Sequence, residues 1–399
     1  MNICGRRYDT QQLVSIEVAA SRIARIIPLA ADEATSRRAA AAPWISPGFI
    51  DLQINGYGGH EFNEPGVTAE HVRDICLAQD AHGIVGFCPT TTTHSFETLH
   101  HAMRMIATAC ERDSGVARRV IGVHLEGPYI SPEDGPRGAH PQAHCRPPDW
   151  DEFQRFQDAA GGRIRIVTLS AEYEAAPSFI ARAVRSGVVV AIGHTSANSD
   201  QIRAAVDAGA AFSTHLGNGA HPRIRRHPNY IWDQLADDRL LASLIVDGHH
   251  LPPSVVQSFV RAKTPVRCLL VSDITGMAGL PAGRYERTSL GNVEVLEDGR
   301  LVVAGQRDLL AGAALPITVG IANVMRFAGV DLKTAVDMAS MTPAVLAGHA
   351  PGRLEVGAPA DLVQFELPVT LTAESREPVR VVATVLGGEV VYGTPWQPS

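Results

Sequence analysis

The sequence predicts an α/β fold: a closed parallel barrel of β/α units, with a small β domain built from the two ends of the chain. Three observations predict it. Between residues 48 and 360, short apolar runs alternate with amphipathic, alanine-rich segments, which is the signature of β/α units around a parallel sheet. The apolar runs begin near Ile50, Gly86, Val120, Arg165, Val188, Ala211, Leu241 and Cys268, about the eight strands that a closed barrel requires. Outside that stretch, the pieces near each terminus read as short antiparallel strands joined by tight turns.

Taken in order, residues 1–47 carry pieces such as Leu13-Val14-Ser15-Ile16-Glu17-Val18, separated by charge and alanine, and end in the turn Pro43-Trp44-Ile45-Ser46-Pro47-Gly48. These are expected to be the N-terminal part of the small domain. Residues 48–360 form the barrel. Helices are expected over 68–82, 96–112, 176–186 and 199–208, with an inserted hairpin at 291–304 turning at Asp298-Gly299. A last helix is expected over 331–346, capped by Asp331. Residues 361–399 return to short strands, and are expected to complete the small domain.

Composition narrows the partners. At 399 residues and 45% hydrophobic content, the chain can bury a large core and has room for one large domain and a smaller one. A net charge of -7 and an isoelectric point near 6.1 give no general basic field, so a nucleic-acid partner is excluded and a small molecule expected. Six scattered cysteines without a C-x-x-C pair argue against a zinc ribbon or a secreted disulfide framework and fit the reducing cytoplasm. No apolar run approaches the roughly 20 residues of a membrane helix, and residues 1–8 hold no apolar core of signal-peptide length, so neither export nor membrane insertion is expected.

Four apolar runs end in residues with chemistry. Val120-Ile121-Gly122-Val123-His124-Leu125-Glu126 stops at Gly127-Pro128 and leaves Glu126 at a strand end. The runs through Ile192 and Phe212 lead to His194 and His215, and Leu269-Leu270-Val271 leads to Asp273. Side chains at corresponding strand ends of a parallel barrel gather at one rim, where such sites are built. One carboxylate and two imidazoles suit zinc or another first-row divalent ion and leave a place open for water. Beside such an ion, Asp273 can take a proton from water and hand it to a leaving amine. His124 points to the same face as Glu126 and is expected to pack beneath the ion. Asp51, Gln53 and Asn55 share one side of the first strand, and the two amides suit hydrogen bonding to a polar substrate or to water. The loop from His215 to Pro228 holds Asn218, Gly219, Arg223, Arg225 and Arg226, a glycine-rich basic stretch able to cradle an anionic oxygen cluster. His249 and His250, and His140 in a long loop, add imidazoles at the same rim. His71, His82, His100 and His101 lie in helical pattern and read as surface or core residues.

The stretches PGFIDLQINGYGG, PTTTT, GVHLEGPYISPEDGPRGAH, GHTSAN, THLGNGA, VDGHHL, VSDITGMAGLPAG and GRLEVGAPADLV follow one another through nearly the whole chain. Together they resemble the N-acetylglucosamine-6-phosphate deacetylases of the amidohydrolase superfamily. Glu126 stands where many superfamily members carry a lysine, and Gln53 and Asn55 replace the His-x-His of the first strand. The resemblance implies a TIM-like (β/α)8 barrel of the metal-dependent hydrolase type with a small β-sandwich. It implies hydrolysis of an amino-sugar acetamide to acetate and free amine. By position, Glu126, His194 and His215 would hold one divalent ion, with zinc first among the candidates. Asp273 would be the general base and then acid, and His140 would polarise the amide carbonyl. Gln53, Asn55, Gly127, Asn218, Gly219 and His250 would line the sugar phosphate, with Arg226 as phosphate clamp across a homodimer interface. Two departures, Gly217-Asn218-Gly219-Ala220 and Arg225-Arg226-His227-Pro228-Asn229, fall in the phosphate loop. The alternatives are a deacetylase of another amino sugar, unphosphorylated or galacto-configured, or another amidohydrolase. A barrel that has lost catalysis and serves in assembly is the alternative of a different class, against which the intact Glu126, His194, His215 and Asp273 argue.

Overall fold

The computed structural model describes residues 1–29, 42–288, 290–372, 375 and 377–397. Eight parallel strands stand side by side in chain order: Phe49–Ile54, Ile84–Thr92, Val123–Glu126, Ile164–Leu169, Val189–Ile192, Phe212–Ser213, Leu241–Leu244 and Cys268–Leu270. The last meets the first through a parallel bridge between Ile54 and Ile274. At the same seam the Ser272 amide donates to both oxygens of Asp51, at 3.3 and 3.1 Å. This is the predicted barrel.

Strand burial follows from the architecture. All six residues of Phe49–Ile54 are buried, as expected where one face meets the barrel interior and the other the surrounding helices. Alternation then sorts the side chains into two clusters. Ile50, Leu52, Val85, Cys88, Ile166, Ala191, Phe212 and Leu269 pack together with Ala344 and Ala347 from beneath. Phe49, Phe87, Leu125, Val167, Val190 and Leu270 belong to the larger core shared with the helices. The helix Phe96–Arg112 shows how the outer ring is made. Ser95 caps it by accepting from the Thr98 amide, and Leu99, Met103, Ile106 and Cys110 form one buried stripe at helical spacing.

Strands from both ends make one seven-stranded sheet, with Trp44–Pro47 at its centre between Asn2–Arg7 and Leu362–Glu366. Thr384 donates to the Asp80 carbonyl at 2.7 Å, joining that sheet to the barrel. Asp80 in turn takes two 2.7 Å hydrogen bonds from the buried Arg119.

Three expectations are corrected. The inserted hairpin is a four-stranded antiparallel sheet, Gly283–Thr288, Gly291–Val295, Leu301–Val303 and Gln306–Leu310. The last helix is two, Leu332–Met338 and Met341–Leu346. The backbone leaves the helical region at Ser340, whose hydroxyl donates back to the Val336 carbonyl at 2.6 Å. Asp331 does cap the first, accepting from the Thr334 amide. The third strand starts at Val123 instead of Val120, because Val120 closes the helix Ser114–Arg119 through its amide on Val116.

Candidate active site

Register brings the strand-end residues level. Glu126 is paired with Thr92 on one side and Thr168 on the other, Leu169 with Ile192, and Ile192 with Ser213. Two residues past Ile192 comes His194, and two past Ser213 comes His215. Each must turn its side chain inward at once. His194, His215 and Asp273 do so with φ of 48°, 27° and 55°, the left-handed region that side-chain-bearing residues avoid at a cost of about 1–2 kcal/mol.

The three donors meet. Glu126 Oε1 lies 2.9 Å from His215 Nε2 and 3.2 Å from His194 Nε2, and the two Nε2 atoms are 3.2 Å apart. Two donors at about 2.1 Å from a tetrahedral ion lie about 3.4 Å apart, so this triangle has the edge of a coordination face. His194 Nδ1 donates to the Pro136 carbonyl at 2.8 Å, which leaves the lone pair of the neutral ring on Nε2, facing an acidic oxygen. Lone pairs so crowded need a positive charge among them. The buried His215 Nδ1 has no hydrogen-bond partner. Burial pushes the Glu126 carboxyl up, but the two imidazoles set against it more than offset this and hold it well below the usual carboxylate range. The donor set fits one divalent cation.

Asp273 stands beside this triangle. Burial first, then the negative charge of Glu126, raises its carboxyl to about 6, close to the neutral pH at which a proton-transfer group works best. Its position is set by Asn55, whose amide nitrogen reaches Asp273 Oδ1 at 2.7 Å and its carbonyl at 3.3 Å. Asn55 thereby spends its donor on Asp273, where the sequence suggested a polar substrate or water. His140 joins from the loop after the third strand. A ligand atom of His140 lies within 4.8 Å of those of Glu126 and His194, and its Nδ1 is 2.9 Å from Thr93 Oγ1. Burial, then His194, lowers its pKa to about 3, so it stays neutral.

His124 is buried on the strand that carries Glu126. Its Nδ1 faces the Leu52 carbonyl at 3.0 Å and its Nε2 the Thr168 hydroxyl at 2.7 Å. Gln53 is buried, with a side-chain nitrogen that has no partner. The other rim residues make contacts of their own. His250 Nδ1 is 2.7 Å from Asp247 Oδ2; burial raises Asp247, but the hydrogen bond and charge of His250 with the backbone amides of His249 and His250 together outweigh it and bring it to about 2. Asn218 turns back on the His215 carbonyl through both its nitrogens, at 2.9 and 3.3 Å. Gly219 has φ of 56°, and a Cβ there would lie 2.6 Å from His194 Nδ1. Gly127 has φ of 82°, and a Cβ would lie 2.1 Å from Thr93 Oγ1. Arg226 is exposed on the loop beyond, apart from the triangle's buried surroundings. Thr93, Pro136 and Asp247 fall within or beside the motifs read from the sequence, but their roles as supports depend on contacts across loops that spacing does not reveal.

A family model for the amidohydrolase family matches residues 44–391. The chain belongs to the amidohydrolase family. Among the family's members, the N-acetylglucosamine-6-phosphate deacetylase of Bos taurus is 34% identical over 359 residues, covering 87% of this chain and 83% of that protein. The N-acetylgalactosamine-6-phosphate deacetylase of Escherichia coli O157:H7 is 32% identical, covering 82% and 84%. A solved structure of a Mycobacterium smegmatis N-acetyl-D-glucosamine-6-phosphate deacetylase variant in complex with N-acetyl-D-glucosamine-6-phosphate superposes with a TM-score of 0.79 at 31% identity, covering 95% of this chain and 94% of that one. Amidohydrolases depend on metal, and the buried Glu126–His194–His215 triangle is where this one has the donors for it.

Proposed function

We propose that the protein hydrolyses the acetamide of N-acetyl-D-glucosamine 6-phosphate to acetate and D-glucosamine 6-phosphate. The observation that carries this reading is the meeting of Glu126, His194 and His215 beside Asp273, in a chain so similar along its length to such deacetylases. The ion proposed is zinc, which two imidazoles and a carboxylate suit. When bound, it supplies an electrophile for the amide carbonyl and makes water easier to deprotonate.

Asp273 accepts a proton from the attacking water as its oxygen bonds to the acetyl carbon. It then returns that proton to the sugar nitrogen as the carbon–nitrogen bond breaks. Asn55 keeps the Asp273 carboxylate aimed through both steps. His140, neutral and steadied by Thr93, donates a hydrogen bond toward the carbonyl oxygen. Gly127 and Gln53 border this end of the pocket. His250, oriented by Asp247, and Asn218 with the Gly219 amide face the sugar and its phosphate. Arg226, exposed within one chain, completes the phosphate clamp for the neighbouring subunit of a homodimer. Six free cysteines, five of them buried, support a reducing, cytoplasmic setting. Among the described residues, no helix is long and apolar enough to cross a membrane.

The test is acetate release from four sugars: the N-acetyl gluco and galacto hexosamines, each with and without the 6-phosphate. The expected outcome is fastest turnover on the gluco 6-phosphate, lost on chelation and restored by zinc. Preference for the galacto 6-phosphate would favour the second reading, which the Escherichia coli relative supports. Absence of acetate from all four would refute both.

A further inference from the structure

Among the described residues, a second group of ligand atoms converges outside the catalytic triangle: His60, Glu64 and His71. Each comes from a different piece of backbone. His60 lies on a two-residue strand, His60–Glu61, paired with Gly56–Tyr57 just after the first barrel strand. Glu64 lies in the turn that follows, and His71 in the first turn of the helix Ala69–Ala78.

Glu64 Oε1 is 3.0 Å from His60 Nδ1 and 3.3 Å from His71 Nδ1, and the three atoms lie within 4.8 Å of one another. The first two separations match the edge of about 3.4 Å between donors on a tetrahedral ion. The second carboxylate oxygen is held at 3.2 Å by the Glu61 amide, so Oε1 is the one presented to the imidazoles. His71 Nδ1 is inaccessible, and its approach to Glu64 lacks the geometry of a hydrogen bond. The rings stack at 3.9 Å with planes 21° apart. They must splay to aim both lone pairs at one point, which the partial exposure of 40% and 33% allows. Water can reach the remaining positions for the same reason.

We propose that His60, Glu64 and His71 form a second cation site of the zinc class, structural in role and separate from the catalytic one. Two imidazoles and a carboxylate select a first-row divalent ion over calcium or magnesium. Held there, the ion staples the hairpin to the helix. That hairpin also braces the catalytic loop: Gly59 donates to the Gly276 carbonyl at 2.7 Å, and Gly276 donates to Glu61 Oε1 at 3.2 Å, three residues beyond Asp273.

The experiment uses the full chain, stripped with a chelator, saturated with zinc, freed of excess by gel filtration and assayed for bound metal. His71→Ala keeps the Thr68 cap of its helix, because that cap uses the backbone amide, and His60→Ala is the second variant. Wild type should retain about one zinc more per chain than either variant, while acetate release by the variants stays within about twofold of wild type. Equal zinc content in wild type and both variants would overturn the proposal.

Discussion

Asp273 carries the proton in both halves of the proposed reaction, so its amide isostere separates catalysis from metal binding. Asp273→Asn keeps a polar partner for Asn55 but cannot accept the proton. Turnover should fall by about 10³-fold or more, with bound zinc unchanged by elemental analysis. A variant that works normally would remove Asp273 from the mechanism. Gly127 makes a finer prediction. Alanine there meets Thr93 Oγ1 in a left-handed backbone, and Thr93 is what steadies His140. Gly127→Ala should lower kcat on the order of tenfold while the metal stays bound, measured by steady-state kinetics beside a zinc assay; unchanged kcat would free His140 from that support. At this scale Glu126, His194, His215 and Asp273 were legible because each ends an apolar run, and a strand end in a parallel barrel has a known address. Thr93, Asp247 and the real partner of Asn55 were not, because a hydroxyl or an amide looks alike in sequence whether it faces a ligand or a neighbouring side chain.

Elements position these residues, and the loops do it unequally. The 127–146 loop that brings His140 is tied at its far end by Arg146, which reaches Glu152 at 2.8 Å and the His144 carbonyl at 2.8 Å. Arg146→Ala should raise amide exchange across 131–146 and lower kcat several-fold, on the order of 1 kcal/mol in barrier; a protected loop with reduced kcat would contradict this route. In the proposed function the loop over 217–229 offers Arg226 to the phosphate. Arg226→Ala should raise KM for the phosphorylated sugar by about 10-fold or more and leave the unphosphorylated sugar nearly unaffected. Equal effects on both sugars would place the clamp elsewhere. Strands and long helices were read from periodicity, which is a local signal. The break at Ser340 was not, since serine within an apolar pattern gives no sign that its hydroxyl will bond back to Val336 and turn the chain. The four-stranded insertion was half seen: its Asp-Gly turn is a local signal, while its outer strands, Gly283–Thr288 and Gln306–Leu310, lie outside the stretch that turn marks.

For the whole molecule, the seam between the first and last barrel strands sets a dependence on pH. Asp51 is fully buried there, and burial raises its carboxyl from 3.8 to about 7 against the hydrogen bonds of Ser272 and Gln53. The folded state therefore holds this proton more tightly than the unfolded chain does. Its contribution is complete below the unfolded pKa and is lost as pH rises toward about 7, by at most about 1.4 kcal/mol per pH unit. Asp51→Asn keeps an oxygen for the same amides without a charge, so its urea midpoint should gain on wild type between about pH 4 and about pH 7 and hold a constant lead above that. Parallel profiles would show that Asp51 is ionised in both states or in neither. The barrel as a whole was readable because eight apolar runs of similar length admit few arrangements. The terminal sheet was readable only as a class, since the order of its seven strands depends on pairings across more than 300 residues, such as Leu362 with Pro47.

His194, His215 and Asp273 all sit in a backbone conformation that glycine would tolerate more easily, and none can become glycine without losing its chemistry. Better packing of the barrel floor would harden the scaffold, yet it leaves these three residues as tense as before. Reinforcement gained below therefore offsets the cost held at the rim without removing it.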